Sequence, residues 1–225
     1  MTRNKLKLLA YTTMVIDHIG CLFFPSSWLF RIVGRITFPI FAFFTADSMV
    51  SCKNKKRYLL RLLILAIASE PIYDMVFGYE FLDKNFSVIT TLALGALACY
   101  LSAISKAKVG VCAYFWFFLA AFLAEVSEMD YGCYGIFMIA MFYTAKECGG
   151  YDYIEQQHLL SLGILQLDSF IALLSGRHWV QGFAPLAAFL LPPTKADEKA
   201  MSKAWYLFYP VHLVVLHLIK QLGKF

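Results

Sequence analysis

KLLAYTTMVIDHIGCLFFPSSWLFRIVGRITFPIFAFFTADSMV, residues 7–50, decides the fold. It holds two apolar runs joined by the short turn Pro25-Ser26-Ser27. Each run is long enough, at about 1.5 Å per helical residue, to cross a hydrocarbon layer about 30 Å thick. Neither run is clean, because Asp17, His18, Arg31, Arg35 and Asp47 interrupt them. Their neighbours are Met, Val, Ile, Leu and Phe, so these ionisable groups have no solvated face to occupy and must turn inward, toward other helices or a cavity.

The rest of the chain repeats this pattern. Of 225 residues, 60% are hydrophobic and only 16% charged, and the mean hydropathy is +0.63. A soluble domain carries roughly a quarter charged residues, so a water-soluble globule is excluded. The 21 Phe and 13 Tyr demand burial, which excludes a disordered chain. Six scattered cysteines without a C-x-x-C pair give neither a disulfide framework nor a metal site. No basic patch is interleaved with aromatics, so nucleic acid is not an expected partner.

A window of about 20 residues predicts spans over 6–24, 28–50, 58–77, 87–104, 109–126, 131–145, 158–175, 177–191 and 204–220. The expectation is an all-α fold: a polytopic transmembrane helical bundle with about nine spans, forming a single integral-membrane domain over 1–225. Asp17 and His18 break the first run and no A-x-A site follows, so it reads as a retained span and not a signal peptide. Arg3, Lys5 and Lys7 share one side with Lys53, Lys55, Lys56, Arg57 and Arg61, with Lys106 and Lys108, with Lys146, and with Lys195, Lys199 and Lys203. Positively charged loops stay cytoplasmic, which places the N-terminus inside and, after nine crossings, the C-terminus outside.

The intramembrane ionisable residues carry the chemistry. Asp17 and His18 lie in the first span, Arg31 and Arg35 in the second, Glu70 and Asp74 in the third, Asp168 in the seventh, and His212 and His217 in the last. Each costs about 2.5–3.5 kcal/mol at a helix centre, so each needs a partner or water. Arg31 and Arg35 are four positions apart and project from one helical face. Counted from the starts of their spans, His18 lies about 18 Å deep and His212 about 12 Å deep, close enough for one polar chamber. Two histidines, two arginines and several carboxylates supply a general base, cationic clamps and groups to tune both. Asp47, Asp168 and His217 read instead as structural glue between helices. Tyr209-Pro210 precedes His212, and the proline bends that helix toward the cavity.

Five blocks, TMVIDHIG at 13–20, GRITFPIFAF at 34–43, YLLRLLILAIASEPIYD at 58–74, DYGCYGIFMI at 130–139 and FYPVHLVVL at 208–216, occur in order from end to end. On these blocks the chain resembles the TraX family of membrane-embedded acetyltransferases, known for acetylating the N-terminus of conjugative pilin. The resemblance implies a multi-pass protein of the bacterial cytoplasmic (inner) membrane, in contact with membrane lipids. It implies acetyl-CoA as donor substrate, no metal, and a pilin or another envelope acceptor. By motif position the catalytic histidine is His18, as base or as acyl carrier, with Asp17 beside it and His212 as the alternative base. Arg31, Arg35, Glu70, Asp74 and Tyr209 are expected in the substrate-binding chamber. The leading expectation is therefore transfer of an acetyl group to an amine or hydroxyl. A small-solute or proton-coupled transporter is the alternative, with the same residues as a proton relay.

Overall fold

The computed structural model describes residues 2–80, 85–109, 113–148, 202–223 and scattered positions between 163 and 191. All regular structure among these residues is helical: α1 (Arg3–Phe23), α2 (Trp28–Gly34), α3 (Thr37–Ser51), α4 (Lys55–Phe77), α5 (Val88–Val109), α6 (Phe115–Val126), α7 (Gly132–Glu147), a 3-10 turn (Lys203–Leu207) and α8 (Phe208–Gly223).

The helices begin and end where side chains can meet the unpaired backbone groups. Thr2 caps α1 by accepting from the Lys5 amide at 3.3 Å, and Asn54 caps α4 by accepting from the Arg57 amide at 2.9 Å. Gly78 ends α4 at φ +77°, a left-handed conformation that glycine adopts without steric cost, and its amide returns to the Asp74 carbonyl at 2.8 Å. The expected span 28–50 is present but broken between α2 and α3. Pro39 offers no amide to the Arg35 carbonyl four residues back and its ring crowds that carbonyl, so the break falls at Arg35 and Ile36.

Of the nine expected spans, seven fall on helices among the described residues. Among the described residues, three stretches are long and apolar enough to cross a membrane: Arg3–Phe23, Trp28–Ser51 and Val88–Lys106. With α2 and α3 taken together, the described residues form seven helical rods. The expected 109–126 span shortens to the 12 residues of α6. The expected spans 158–175 and 177–191, with Asp168, lie almost wholly outside the described residues.

Outward faces are apolar stripes. Leu60, Ile64 and Ile67 on α4, Phe115, Phe118 and Phe122 on α6, and Val211, Val215, Leu218 and Leu222 on α8 are all exposed. Their spacing of three or four residues puts each set on one helix face. Such surfaces are a liability in water and are natural in contact with lipid, so this is a membrane protein. Basic residues of α1, α5 and α7 gather at one end of the bundle. There the buried Asp47 of α3 meets Arg3 of α1 at 2.6 Å and Lys146 of α7 at 3.3 Å, while Lys106 of α5 meets Glu147 of α7 at 2.9 Å. Asp47 thus ties three helices together, the role its surroundings in sequence suggest.

Candidate active site

Two helices bring the histidines together. α1 and α8 run parallel, with the Tyr11 ring packed against Trp205 and Phe208 at centroid distances of 5.2 and 4.9 Å. Seven residues further along α1, His18 meets His212: Nδ1 of His18 lies 2.7 Å from Nε2 of His212, and the rings are parallel within 7°. Both are buried, and the edge-on rings of Phe77 and Tyr209 flank His18.

This geometry fixes the tautomers. Nδ1 of His212 lies 2.9 Å from the Phe208 carbonyl oxygen. A carbonyl can only accept, so Nδ1 of His212 carries the proton and Nε2 of the neutral ring carries a lone pair. That lone pair accepts from Nδ1–H of His18. Nε2 of His18 is therefore left unprotonated, the form in which an imidazole acts as a base.

His18 lies on the wall of a cavity of about 260 Å³. Four helices present stripes to it: Lys7, Tyr11, Met14 and His18 from α1, Thr37, Phe38, Phe41 and Thr45 from α3, Arg61, Leu62 and Leu65 from α4, and Val88, Ile89 and Leu92 from α5. Asp17, Asp130, Tyr131 and Tyr209 line it as well. Tyr209 is buried on the cavity wall, with the Ser87 side chain as its polar neighbour.

The other expected site residues stand around this core in different ways. Asp17, next to His18 in sequence, points about 100° away from it and faces α2, where Arg31 pairs with it at 3.1 Å. Gly34 makes that approach possible, since a Cβ there would lie 2.3 Å from the Asp17 carboxyl carbon. Arg31 also donates to the Cys21 sulfur. Arg35 turns to another partner, donating from Nη1 to the Tyr131 hydroxyl at 3.2 Å while its guanidinium lies 5.6 Å from the centre of that ring. Neither arginine lines the cavity itself. Each braces a residue that does, Asp17 in one case and Tyr131 in the other.

Glu70 is committed elsewhere. Its carboxylate accepts from the Ser87 amide at 3.1 Å, from the Ser87 hydroxyl at 2.8 Å and from the Thr90 hydroxyl, and so holds the start of α5, where a negative charge also complements the helix dipole. Asp74 is buried on the same helix and does not line the cavity. His217 lies on α8 beyond the cavity, within 2.7 Å of Gln221.

Tyr131 escapes a reading of the sequence. It sits at φ +65°, an uncommon conformation for a residue with a side chain, and stacks on Phe38 at 3.9 Å between ring centres. Its ring and the Asp130 carboxyl close one end of the cavity. The only hint in the sequence is the DYGCYG block, whose glycines indicate a tight turn into α7.

Comparison with known proteins places this arrangement among relatives. A family model described as TraX protein matches residues 2–220. The chain is similar to the probable fimbrial assembly protein FimC, serogroup H1, of Dichelobacter nodosus, at 28% identity over 245 aligned residues that cover 96% of this chain and 97% of that one. It is also similar to an uncharacterized protein of Rickettsia prowazekii (strain Madrid E), at 35% identity over 99 residues, 44% of this chain and 36% of that one. No solved structure matches the chain.

Proposed function

The chain belongs to the TraX family, and on that footing we propose that it is a multi-pass acetyltransferase of the bacterial inner membrane. It moves an acetyl group from acetyl-CoA to an amine or hydroxyl acceptor, such as the N-terminus of a pilin or fimbrial subunit. The observation that carries this reading is the His18–His212 pair, whose hydrogen bonds leave a basic nitrogen on His18 at a cavity wall. The similarity to a probable fimbrial assembly protein supports an acceptor of the pilus type.

In this reading His18 Nε2 takes the proton from the attacking nitrogen or oxygen as the new bond to the acetyl carbon forms. The positive charge that develops on His18 is shared through Nδ1–H with His212, which the Phe208 carbonyl holds in place. The carbonyl oxygen becomes an oxyanion, and the buried Tyr209 hydroxyl on the cavity wall is a donor suited to it. Collapse of the tetrahedral species expels the CoA thiolate, and the imidazolium returns the proton to it. Arg31 and Arg35 act from behind the wall, by orienting Asp17 and Tyr131.

The test is incubation of the purified full chain, in lipid, with acetyl-CoA labelled in the acetyl group and a panel of peptide amines, amino sugars and alcohols. Time-dependent labelling of one acceptor is expected. An absence of label transfer to any acceptor, together with movement of a solute or protons across the same vesicles, would replace the acetyltransferase with a transporter.

A further inference from the structure

The cavity has two unlike ends. At one lie His18, Asp17, Asp130 and Tyr131; at the other lie Lys7 and Arg61. Lys7, Tyr11, Met14 and His18 fall at intervals of four, three and four residues, so they form a single stripe along α1. From Lys7 to His18 the stripe covers eleven residues, about 16 Å. Between the ends the lining is neutral and mostly apolar, with Met14, Phe41, Leu62, Leu65 and Leu92. The cationic end is also the end where basic residues of α1, α5 and α7 gather, on the side expected to be cytoplasmic.

We propose that Lys7 and Arg61 form a polyphosphate-binding mouth, and that the shaft between them and His18 seats the neutral pantetheine arm of the acyl donor. This assignment rests on the acetyltransferase reading above and adds to it the place and direction of donor entry. Length is the first argument. About thirteen bonds separate the thioester sulfur from the nearest phosphorus of a CoA thioester, and a chain that advances at most about 3.6 Å per three bonds reaches about 15 Å. A donor anchored by its phosphates at the mouth therefore presents its thioester at His18 and cannot pass much beyond it. Charge is the second argument. A guanidinium binds phosphate oxygens in pairs and an ammonium acts as a compact point charge, so Arg61 and Lys7 together suit a pyrophosphate. Polarity is the third, since the arm carries two amides and no charge. Thr37, whose hydroxyl meets that of Thr13 at 2.7 Å, and Thr45 make the shaft wall polar enough for those amides without placing a charge in an apolar passage.

The test uses the full chain in phosphatidylcholine nanodiscs. Binding of labelled CoA is competed with unlabelled CoA and with pantetheine, which has the arm and no phosphates. The readout is the ratio of the two affinities. In the wild type CoA should win clearly, and the advantage should shrink as salt is raised. Arg61→Gln and Lys7→Gln should each reduce that ratio by about tenfold, as expected for loss of a charge-assisted contact. Arg61→Lys should restore part of it, which separates loss of the contact from loss of the fold. If the wild type binds CoA and both Gln variants keep the wild-type ratio, the mouth is elsewhere and only this inference falls. If the variants lose retention of added phosphatidylglycerol but not CoA, the mouth holds a lipid phosphate and the inference is overturned. Failure of the wild type to bind CoA at all overturns the acetyltransferase reading together with it.

Discussion

Replacing His212 by leucine isolates what the histidine pair contributes. Leucine roughly fills the space but cannot accept a hydrogen bond, so Nδ1–H of His18, in a position only 8% exposed, loses its partner at 2.7 Å. A buried donor without a partner costs about 1–3 kcal/mol. The ring can escape that cost by moving its proton to Nε2, which puts a hydrogen where the base needs a lone pair. If the whole penalty falls on the productive tautomer, its population and the rate of transfer drop about 5- to 150-fold. His212→Gln retains an acceptor in its amide oxygen and should lose less. His18→Gln removes the base itself and should lose about 10²- to 10⁴-fold. The expected order of rates is wild type, His212→Gln, His212→Leu, His18→Gln. The assay is the initial rate of acetyl transfer from labelled acetyl-CoA in proteoliposomes holding equal amounts of folded protein. A wild-type rate in His212→Leu, or a rate for His212→Gln below that of His212→Leu, would refute the tautomer argument.

Gly34→Ala places a methyl group 2.3 Å from the Asp17 carboxyl carbon, so α1 and α2 must separate. A loss of about 1–3 kcal/mol in stability against denaturant is expected, and an unchanged unfolding midpoint would show that this contact yields without strain. Arg35→Lys keeps the charge but cannot both donate to the Tyr131 hydroxyl and lie flat over its ring. Acetyl-transfer turnover should fall several-fold while membrane insertion is kept. A cysteine replacing Lys53, in a background without native cysteines, should escape an impermeant maleimide added to intact cells and react once the membrane is opened; labelling of intact cells would invert the orientation.

What could be read from the chain follows from which forces are local. Apolar runs of 20 residues are a local property, and α1, the α2–α3 rod and α5 lie within a few residues of where the runs put them. The depth of a residue along a helix is also local arithmetic, and His18 and His212, placed at similar depth, stand in contact. Rotation about the helix axis is less accessible. Asp17 and His18 are adjacent in the chain and look like one unit, yet they address different helices because successive residues turn by about 100°. Arg31 and Arg35 stay one helical turn apart, with the Arg35 amide on the Arg31 carbonyl at 3.1 Å, yet their guanidiniums hydrogen-bond to different groups, Asp17 and Tyr131, which the four-residue spacing alone does not reveal. Glu70 looked like a cavity residue, but its neighbours Ser87 and Thr90 come from α5, and nothing near Glu70 in sequence announces them.

The same reasoning explains why the charges in this bundle do not compete with one another. Three carboxylates of the bundle have partners on a second helix: Asp17 with Arg31, Glu70 with the start of α5, Asp47 with Arg3 and Lys146. A carboxylate satisfied in this way is held in place and is kept from pairing with His18. His18 is left to a neutral partner, His212, which in turn rests on the Phe208 carbonyl of its own helix. A carboxylate in place of His212 would favour a permanently protonated His18 and remove its basicity. A neutral histidine orients the ring and accepts its proton in a hydrogen bond while leaving Nε2 free. The bundle thus commits these carboxylates to holding helices together and keeps a neutral pair for the chemistry, an arrangement suited to a base that must lose and regain a proton inside an apolar protein.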